Sequence, residues 1–376
     1  MRNLPELTAD DRLRYSRHLL LPDVGENGQQ KLKNAHILLV GVGGLGSPAA
    51  IYLAAAGVGR LTLIDPDRVD MSNLQRQVLY ADTDRQALKV EAACKRLLAL
   101  NPHLEIRIIP ERLDAQNALD LISQADVVVD GADNFDTRYL VNDACYLAGV
   151  PNVHGSIYRF QGQMSVYAHA NGPCYRCLYP EPPPPDEIPS CAEAGVLGVL
   201  PGIVGTIQAT EAIKLILGIG EALIGKVLLF DALAMDFRKM KLRRDPSCAL
   251  CSPSPTITTL SEYRGYCSLH SDEKDTAMNI DAETLSQRID QGDDMFLLDV
   301  REPHEHAQIA IPGATLIPLG TLSQRCQEVP RDKEVIVYCH AGIRSLKGQQ
   351  ILLNHGFTDV TNLVGGIMAW VNTTHA

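Results

Sequence analysis

The chain is short of basic charge: Lys and Arg total 34 against 45 Asp and Glu, a formal net charge of −11. That balance argues against a nucleic-acid partner held by general electrostatics, and leaves a nucleotide or a small protein open. The N-terminus, MRNLPELTADDRLRYSRHLL, lacks the apolar core of a signal peptide and mixes acids with its bases, which implies a cytoplasmic protein. The ten cysteines are then mostly reduced, so pairs of them point to metal or redox chemistry before structural disulfides. No internal repeat is present. The length of 376 residues, 45% of them hydrophobic, suits about two or three domains with sizeable cores.

Charge is missing altogether from residues 37–59, a stretch long enough for a membrane-spanning helix. Six glycines and Pro48 within it argue instead for strand, loop and helix, and hence for no membrane span. Residues 37–40 read as a buried strand. Gly41, Gly43 and Gly46 follow in G-x-G-x-x-G spacing before a small-residue helix, so backbone N–H groups can approach a phosphate at the helix N-terminus. A second strand over 61–64 ends in Asp65, placed to accept hydrogen bonds from ribose hydroxyls. The alternative is a glycine turn without a ligand; the strand, helix and acid around it favour a nucleotide, whose identity stays open at this point.

Residues 8–21 read as an amphipathic helix, with Leu13, Leu19 and Leu20 apolar and Arg12, Arg14 and Arg17 on a solvated face. A helix is expected from Lys89 to about Leu100, strands over 106–109 and 127–130, and helices over 117–123 and 137–147. This alternation predicts an α/β fold with a doubly wound, mostly parallel sheet. GQMSVYAH reads as a half-exposed strand, and 203–217 as a long helix. Between them PEPPPPDEIPSCAEAG is a proline-rich connector that leads to Cys191. The segment after Cys251 is polar and aperiodic, which divides the chain into residues 1–252, a linker over 253–277 and a second, smaller α/β domain over 278–376. In the last, helices are expected over 282–289 and 345–355, and strands over 295–300, over 334–339 and near Val360.

Cys174 with Cys177 and Cys248 with Cys251 form two C-x-x-C pairs, the four thiolates of a closed, non-catalytic zinc site; disulfides or inert thiols are the alternatives. YCHAGIRS puts Cys339 at the end of a buried strand, before a short loop and a helix. A nest of backbone N–H groups there stabilises a thiolate or an anionic sulfur adduct, and Arg344 closes the loop with a positive charge. Cysteine-dependent phosphatases place their arginine one residue later, so this loop suits a sulfur atom over a phosphate. Past Asp65, Arg76 in SNLQRQ and Lys89 can bridge a polyphosphate. Asp133 and Asn134 follow a strand at the sheet's carboxyl end, where an acid can hold magnesium. Surface loop charges are the competing reading for all four. Cys94 and Cys145 fall in helical patterns as core residues; Cys267 and Cys326 have no informative context.

LRYSRH, GVGGLG, LIDPDRVDMSNLQRQ, GADN, CYRC, the cysteine after the proline loop, CALC, LLDVREPHE, YCHAGIRS and GGIMAW, in this order, resemble the ubiquitin-activating-like adenylyltransferases of the MoeB and ThiF type fused to a C-terminal rhodanese domain. The resemblance covers nearly the whole chain. It implies a Rossmann-like adenylation domain with a zinc site and a rhodanese sulfurtransferase domain, using ATP, Mg2+ and Zn2+. It implies that Gly43, Gly44 and Asp65 hold ATP, that Ser72, Asn73, Leu74, Gln75, Arg76 and Lys89 line its phosphates, and that Asp133 with Asn134 serves magnesium and the reaction. Arg14 would reach the phosphates of the other subunit of a homodimer. The implied partner is a small ubiquitin-like sulfur carrier ending in Gly-Gly. Its carboxylate becomes an acyl-adenylate, which a Cys339 persulfide, loaded by a cysteine desulfurase or thiosulfate, turns into a thiocarboxylate. By the same resemblance Cys191 would form a thioester or complete the release through a disulfide. Ala310 stands where relatives often carry histidine, a difference expected to touch packing.

A nicotinamide oxidoreductase leaves SNLQR, Lys89 and the Cys339 loop unexplained; a non-catalytic scaffold leaves Cys339, Arg344, Arg76 and Lys89 intact without a use, and an adenylation-only activator with a vestigial rhodanese domain leaves Cys339 and Arg344 so.

Overall fold

The computed structural model describes residue 4 and residues 6–169, 172–182, 195–260, 278–340 and 342–374. The chain divides into two compact units, Met1–Cys267 and Ser268–Ala376. Cys191, Cys267 and most of the expected linker lie outside the described residues. Residues 253–260, the start of that linker in the sequence reading, belong to the first unit: Thr256 and Ile257 donate backbone hydrogen bonds to Ala249 O, and Leu260 packs on a core cluster.

The first unit begins with α1 (Ala9–Arg14), α2 (Ser16–Leu19) and α3 (Gly25–Asn34). The single helix expected over 8–21 breaks at Tyr15, whose ring turns into the protein while its hydroxyl accepts a hydrogen bond from Asn101. Leu13 and Leu20 are 78% and 73% exposed while Leu19 is half-buried, so most of the expected apolar stripe faces outward. Asp11 is buried in its place, held by Lys33 and by the Thr8 cap.

The sheet is built from β1 (His36–Val40), β2 (Arg60–Ile64), β3 (Glu105–Ile109), β4 (Val127–Asp130), β5 (Asn152–Tyr158), β6 (Gln161–Tyr167), β7 (Lys226–Asp231) and β8 (Asp236–Lys241). Its order is β3-β2-β1-β4-β5-β6-β7-β8, parallel through β5 and antiparallel beyond. HILLV is buried at every position, as a central parallel strand covered on both faces must be. GQMSVYAH forms β6, more buried than expected because its inner residues Met164, Val166 and Tyr167 all enter cores.

Around the sheet lie α4 (Gly46–Ala56), α5 (Lys89–Leu100), α6 (Ala118–Ile122), α7 (Phe135–Ala148) and α8 (Val199–Leu217). By length and composition alone α8 could cross a membrane, yet it packs in this core on α4 and on β4, β5 and β6. Gly205 permits the approach, since a side chain there would strike Leu45 O, and Gln208 donates from α8 to Asp130 O and Val153 O.

The second unit is a five-stranded parallel sheet, in the order β11-β10-β12-β13-β9. Its strands are β9 (Met278–Ile280), β10 (Met295–Asp299), β11 (Thr315–Leu316), β12 (Glu334–Tyr338) and β13 (Val360–Leu363). The helices are α9 (Ala282–Gln291), α10 (Pro303–Gln308), α11 (Leu319–Arg325), α12 (Ile343–Asn354) and α13 (Gly366–Thr374). Two core clusters, one around Val335 and Val337 and one around Ile336 and Tyr338, lie on opposite faces of β12.

Candidate active sites and metal centre

At the carboxyl end of β1 the chain turns through Gly41 at φ +82°, a conformation that suits glycine. A side chain on Gly46 would collide with Gly41 O, so α4 starts directly on the loop. Asp65, at the end of β2, is buried. Its Oδ2 accepts Val42 N–H and its Oδ1 accepts Asp67 N–H, both at 2.9 Å. Burial raises its pKa against the opposing pull of Lys89. The carboxylate expected to serve a ribose therefore also braces the glycine loop, with a second lone pair left on each oxygen. Tyr80 adds a brace through its hydroxyl, which donates to Val42 O at 2.8 Å.

The SNLQRQ segment packs over this loop. A Cβ on Gly44 would lie 3.8 Å from Arg76 Cδ, and one on Gly43 would lie 3.5 Å from Gln77 Nε2. Arg76 donates to Ser72 O, while Ser72 and Asn73 form a cap with Asp70. Leu74 is half-buried and Gln75 exposed. Lys89 is buried at the start of α5, with Nζ 2.7 Å from Asp67 Oδ2. The loop after β4 adjoins the glycine turn, because Gly131 N–H donates to Val40 O and a Cβ on Gly41 would lie 3.2 Å from Gly131 O. There Asp133 is exposed, and Asn134 caps α7 by accepting Thr137 N–H at 2.9 Å. The structure thus gathers Gly43, Gly44, Asp65, Arg76, Lys89 and Asp133 at one end of the sheet. Arg14 stands apart, exposed on α1 and donating to Leu100 O.

Gln77 was not singled out from the sequence. It is buried beside Gly43, and its Oε1 has no hydrogen-bond partner among the described residues. Its place one residue after Arg76 was the available signal. Beside Asp133 opens a cavity of about 690 Å³, lined by α7, β5, β6, β7, β8 and the Cys174–Cys177 turn; no sequence pattern announced it.

The sulfurs of Cys174, Cys177, Cys248 and Cys251 lie within 4.8 Å of one another and could hold a metal ion. Asp245 N–H points at Cys177 Sγ from 3.3 Å. A hydrogen bond from Cys174 draws the Cys177 thiol down to about 5, while that contact and burial push Cys174 well up. Sulfurs this crowded suit a bound cation, which would hold them as thiolates.

In the second unit Cys339 is buried at the end of β12. Its Sγ accepts Gly342 N–H at 3.1 Å and faces Ser345 Oγ at 3.4 Å. Gly342 has φ +90°, and Ala341 lies outside the described residues. Arg344, expected to close the loop with a positive charge, is paired with an acid. Both its terminal nitrogens meet the Glu305 carboxylate at 2.7 Å, and that ion pair holds Glu305 down at about 2. The conspicuous DVRE stretch is architectural: Asp299 binds Arg301 and His306 beneath α10, and Arg301 lies over the Tyr338 ring.

The ThiF family model matches residues 15–250, and the rhodanese-like domain model matches residues 281–373. The chain is 45% identical over 375 residues to the probable adenylyltransferase/sulfurtransferase MoeZ of Mycobacterium tuberculosis, covering 97% of this chain and 94% of that protein. It is 43% identical over 383 residues to the adenylyltransferase and sulfurtransferase MOCS3 of Drosophila yakuba, with 98% and 84% covered. The sulfur carrier protein adenylyltransferase of Thermus thermophilus is 51% identical over 267 residues, with 70% and 98% covered. Among solved structures, E. coli MccB with ATP is similar over 63% of this chain and 74% of that one, at 25% identity and a TM-score of 0.56. The chain therefore belongs to the ThiF family, carries a rhodanese-like domain behind it, and is an adenylyltransferase and sulfurtransferase.

Proposed function

We propose that the first unit binds MgATP and adenylates the C-terminal carboxylate of a small ubiquitin-like sulfur carrier ending in Gly-Gly, and that Cys339 then delivers sulfur to that carboxyl group. The observation that carries this reading is the presence in one chain of two sites: a glycine loop with Arg76, Lys89 and Asp133 around it, and a cysteine sulfur cradled by Gly342 N–H. The carrier name borne by the Thermus relative supports the choice of partner.

In the first stage the carrier carboxylate attacks the α-phosphate, and pyrophosphate leaves. Gly43, Gly44 and Asp65 position the nucleotide, with Ser72, Asn73, Leu74 and Gln75 shaping the phosphate wall. Arg76 and Lys89 offset the charge that builds on pyrophosphate. Asp133, with Asn134 beside it, is the residue for Mg2+, which would neutralise phosphate charge when bound. In the second stage the terminal sulfur of a Cys339 persulfide attacks the acyl carbon and AMP leaves. The resulting acyl disulfide is cleaved by a thiol, giving the carrier thiocarboxylate and a disulfide. Cys191, outside the described residues, is a candidate for that thiol, or for an intermediate thioester. The N–H cradle of Cys339 stabilises the anionic sulfur at both steps.

The four-cysteine centre is read as zinc. Zn–S bonds of about 2.3 Å in a tetrahedron put sulfurs roughly 3.8 Å apart, and the separations of 3.3, 3.5 and 4.0 Å bracket that value. Such a closed site staples the chain near its domain boundary. The exposed Leu13, Leu20 and Leu21 beside Arg14 support a homodimer in which Arg14 reaches the partner's phosphates. A cytoplasmic protein, with domains over 1–252 and 278–376, completes the reading, with a desulfurase persulfide or thiosulfate as the sulfur source.

Intact masses of candidate Gly-Gly carriers, taken after incubation with the protein, MgATP and a persulfide source, test it. Replacement of one oxygen by sulfur, absent with Cys339→Ala, is expected. Pyrophosphate release with every carrier unchanged would remove the sulfur-transfer half; no pyrophosphate with any carrier would remove the whole.

A further inference from the structure

Two arginines flank the tyrosines beneath the 690 Å³ cavity, and they are treated differently. Arg176 is buried with a full partner: its Nε and NH2 meet the two oxygens of Asp143, each at 2.8 Å. Arg138, on the first turns of α7, is 7% exposed and lines the cavity. Its contacts are the Ala132 carbonyl at 3.2 Å, the face of Phe135 at 5.3 Å and the side chain of Tyr175. None of these is an anion, and a buried guanidinium without one is costly.

Asp133 and Glu181 line the same cavity without forming an ion pair with Arg138, and the other acids nearby are engaged. Asp130 spends one oxygen on His154 Nδ1 at 2.8 Å and the other on Ala132 N–H at 3.0 Å. Across the cavity Asp231 takes the N–H groups of Leu233 and Ala234, and Asp236 pairs with Arg238, the other lining arginine, itself 78% exposed. The cavity therefore offers an incoming anion one buried guanidinium that has no ion-pair partner among the described residues, set one turn into α7, where the helix N-terminus adds to the positive potential. Of the nucleotide-site candidates only Asp133 lines this cavity; Gly43, Gly44, Arg76 and Lys89 do not. A ligand here would present its anionic end next to Asp133 without occupying the nucleotide's own walls.

We infer that Arg138 is the carboxylate-binding residue of the cavity: it receives the carrier's C-terminal carboxylate and holds it beside Asp133 for attack on the nucleotide. This rests on the adenylation reading and adds to it a residue for the acid itself. Tyr175, in the turn between Cys174 and Cys177, orients the guanidinium. An arginine here matches two carboxylate oxygens at once, which a lysine does not.

The test uses the full chain and a small ubiquitin-like carrier ending in Gly-Gly, prepared with a C-terminal carboxylate and with a carboxamide, titrated without ATP. The wild type is expected to prefer the acid about tenfold or more, the worth of one charge-assisted pair. Arg138→Gln should lose that preference by weakening the acid form alone, and Arg138→Lys, which keeps the charge and protects against a folding failure of the first variant, should retain part of it. An unchanged preference in Arg138→Gln, an equal loss for acid and amide, or a loss of MgATP protection against heat in both variants would each overturn the assignment. Wild-type protein that binds neither form would overturn the carrier reading, and this inference with it.

Discussion

The Asp65 carboxylate and the Val42 N–H, 2.9 Å apart, join the end of β2 to the glycine loop that follows β1. The same carboxylate takes Asp67 N–H, and Lys89 meets Asp67 in turn, so three candidate nucleotide elements hang on one buried acid. Asp65→Asn would turn an amide donor toward one of these N–H groups. Stability is expected to fall by about 1–3 kcal/mol. The kcat/KM of ATP–pyrophosphate exchange should drop roughly 10- to 100-fold, the value of a charge-assisted hydrogen bond. Exchange at the wild-type rate would remove Asp65 from the nucleotide site.

The metal centre makes a prediction that separates the two units. Trp370 is the only tryptophan in the chain and is buried in the second unit, so its fluorescence reports that unit alone. Elemental analysis should find one zinc per chain, and Cys251→Ser should release it. Melting of the first unit, followed by circular dichroism, should then fall by more than about 5 °C, a loss of a few kcal/mol in a domain of this size. The Trp370 transition should stay in place. A metal-free protein with the same first transition would show that the cysteines do without the ion.

Much of this architecture could be read from residue patterns, and the misses have physical causes. HILLV, GVGGLG and VVVD carry their structure locally, because a parallel strand buried on both faces runs apolar through its middle and the tight turn after β1 suits glycine. The N-terminal segment misled because the helical spacing of Leu13 and Leu20 is the same whether the stripe meets a core or is left bare. β7 and β8 were missed, since DFRKMK on an edge strand shows no burial pattern. At the sites, glycines, acids and cysteines announced themselves by spacing. The pairing of Arg344 with Glu305, 39 residues away, and the cavity around Arg138 depend on tertiary approach, which no local window contains.

Gly342 offers a test of the sulfur cradle. At φ +90° a Cβ on this residue would meet Gly365 N at 2.9 Å, so Gly342→Ala must shift the backbone that supplies the N–H to Cys339 Sγ. Persulfide loading of Cys339, read by mass, is expected to slow by about tenfold or more. ATP–pyrophosphate exchange, the work of the other unit, should be unaffected. Loading at the wild-type rate would mean that the Gly342 N–H does not stabilise the sulfur anion.

The Glu305–Arg344 pair predicts an acid limb in the stability of the second unit. The guanidinium holds Glu305 at about 2 against an ordinary value of 4.5, so the carboxylate is favoured in the folded state. The sign follows from linkage: the contribution is fully present above pH 4.5 and is lost as pH falls through about 2. Asp299 and Glu334 are also depressed by arginine partners and titrate in the same direction, so the informative quantity is the difference between wild type and Glu305→Gln. Followed by Trp370 fluorescence, wild type should be the more stable at neutral pH, and the gap should close between pH 4.5 and 2. A gap that stays constant through this window would mean that the pair gives the folded unit no pH-dependent stability.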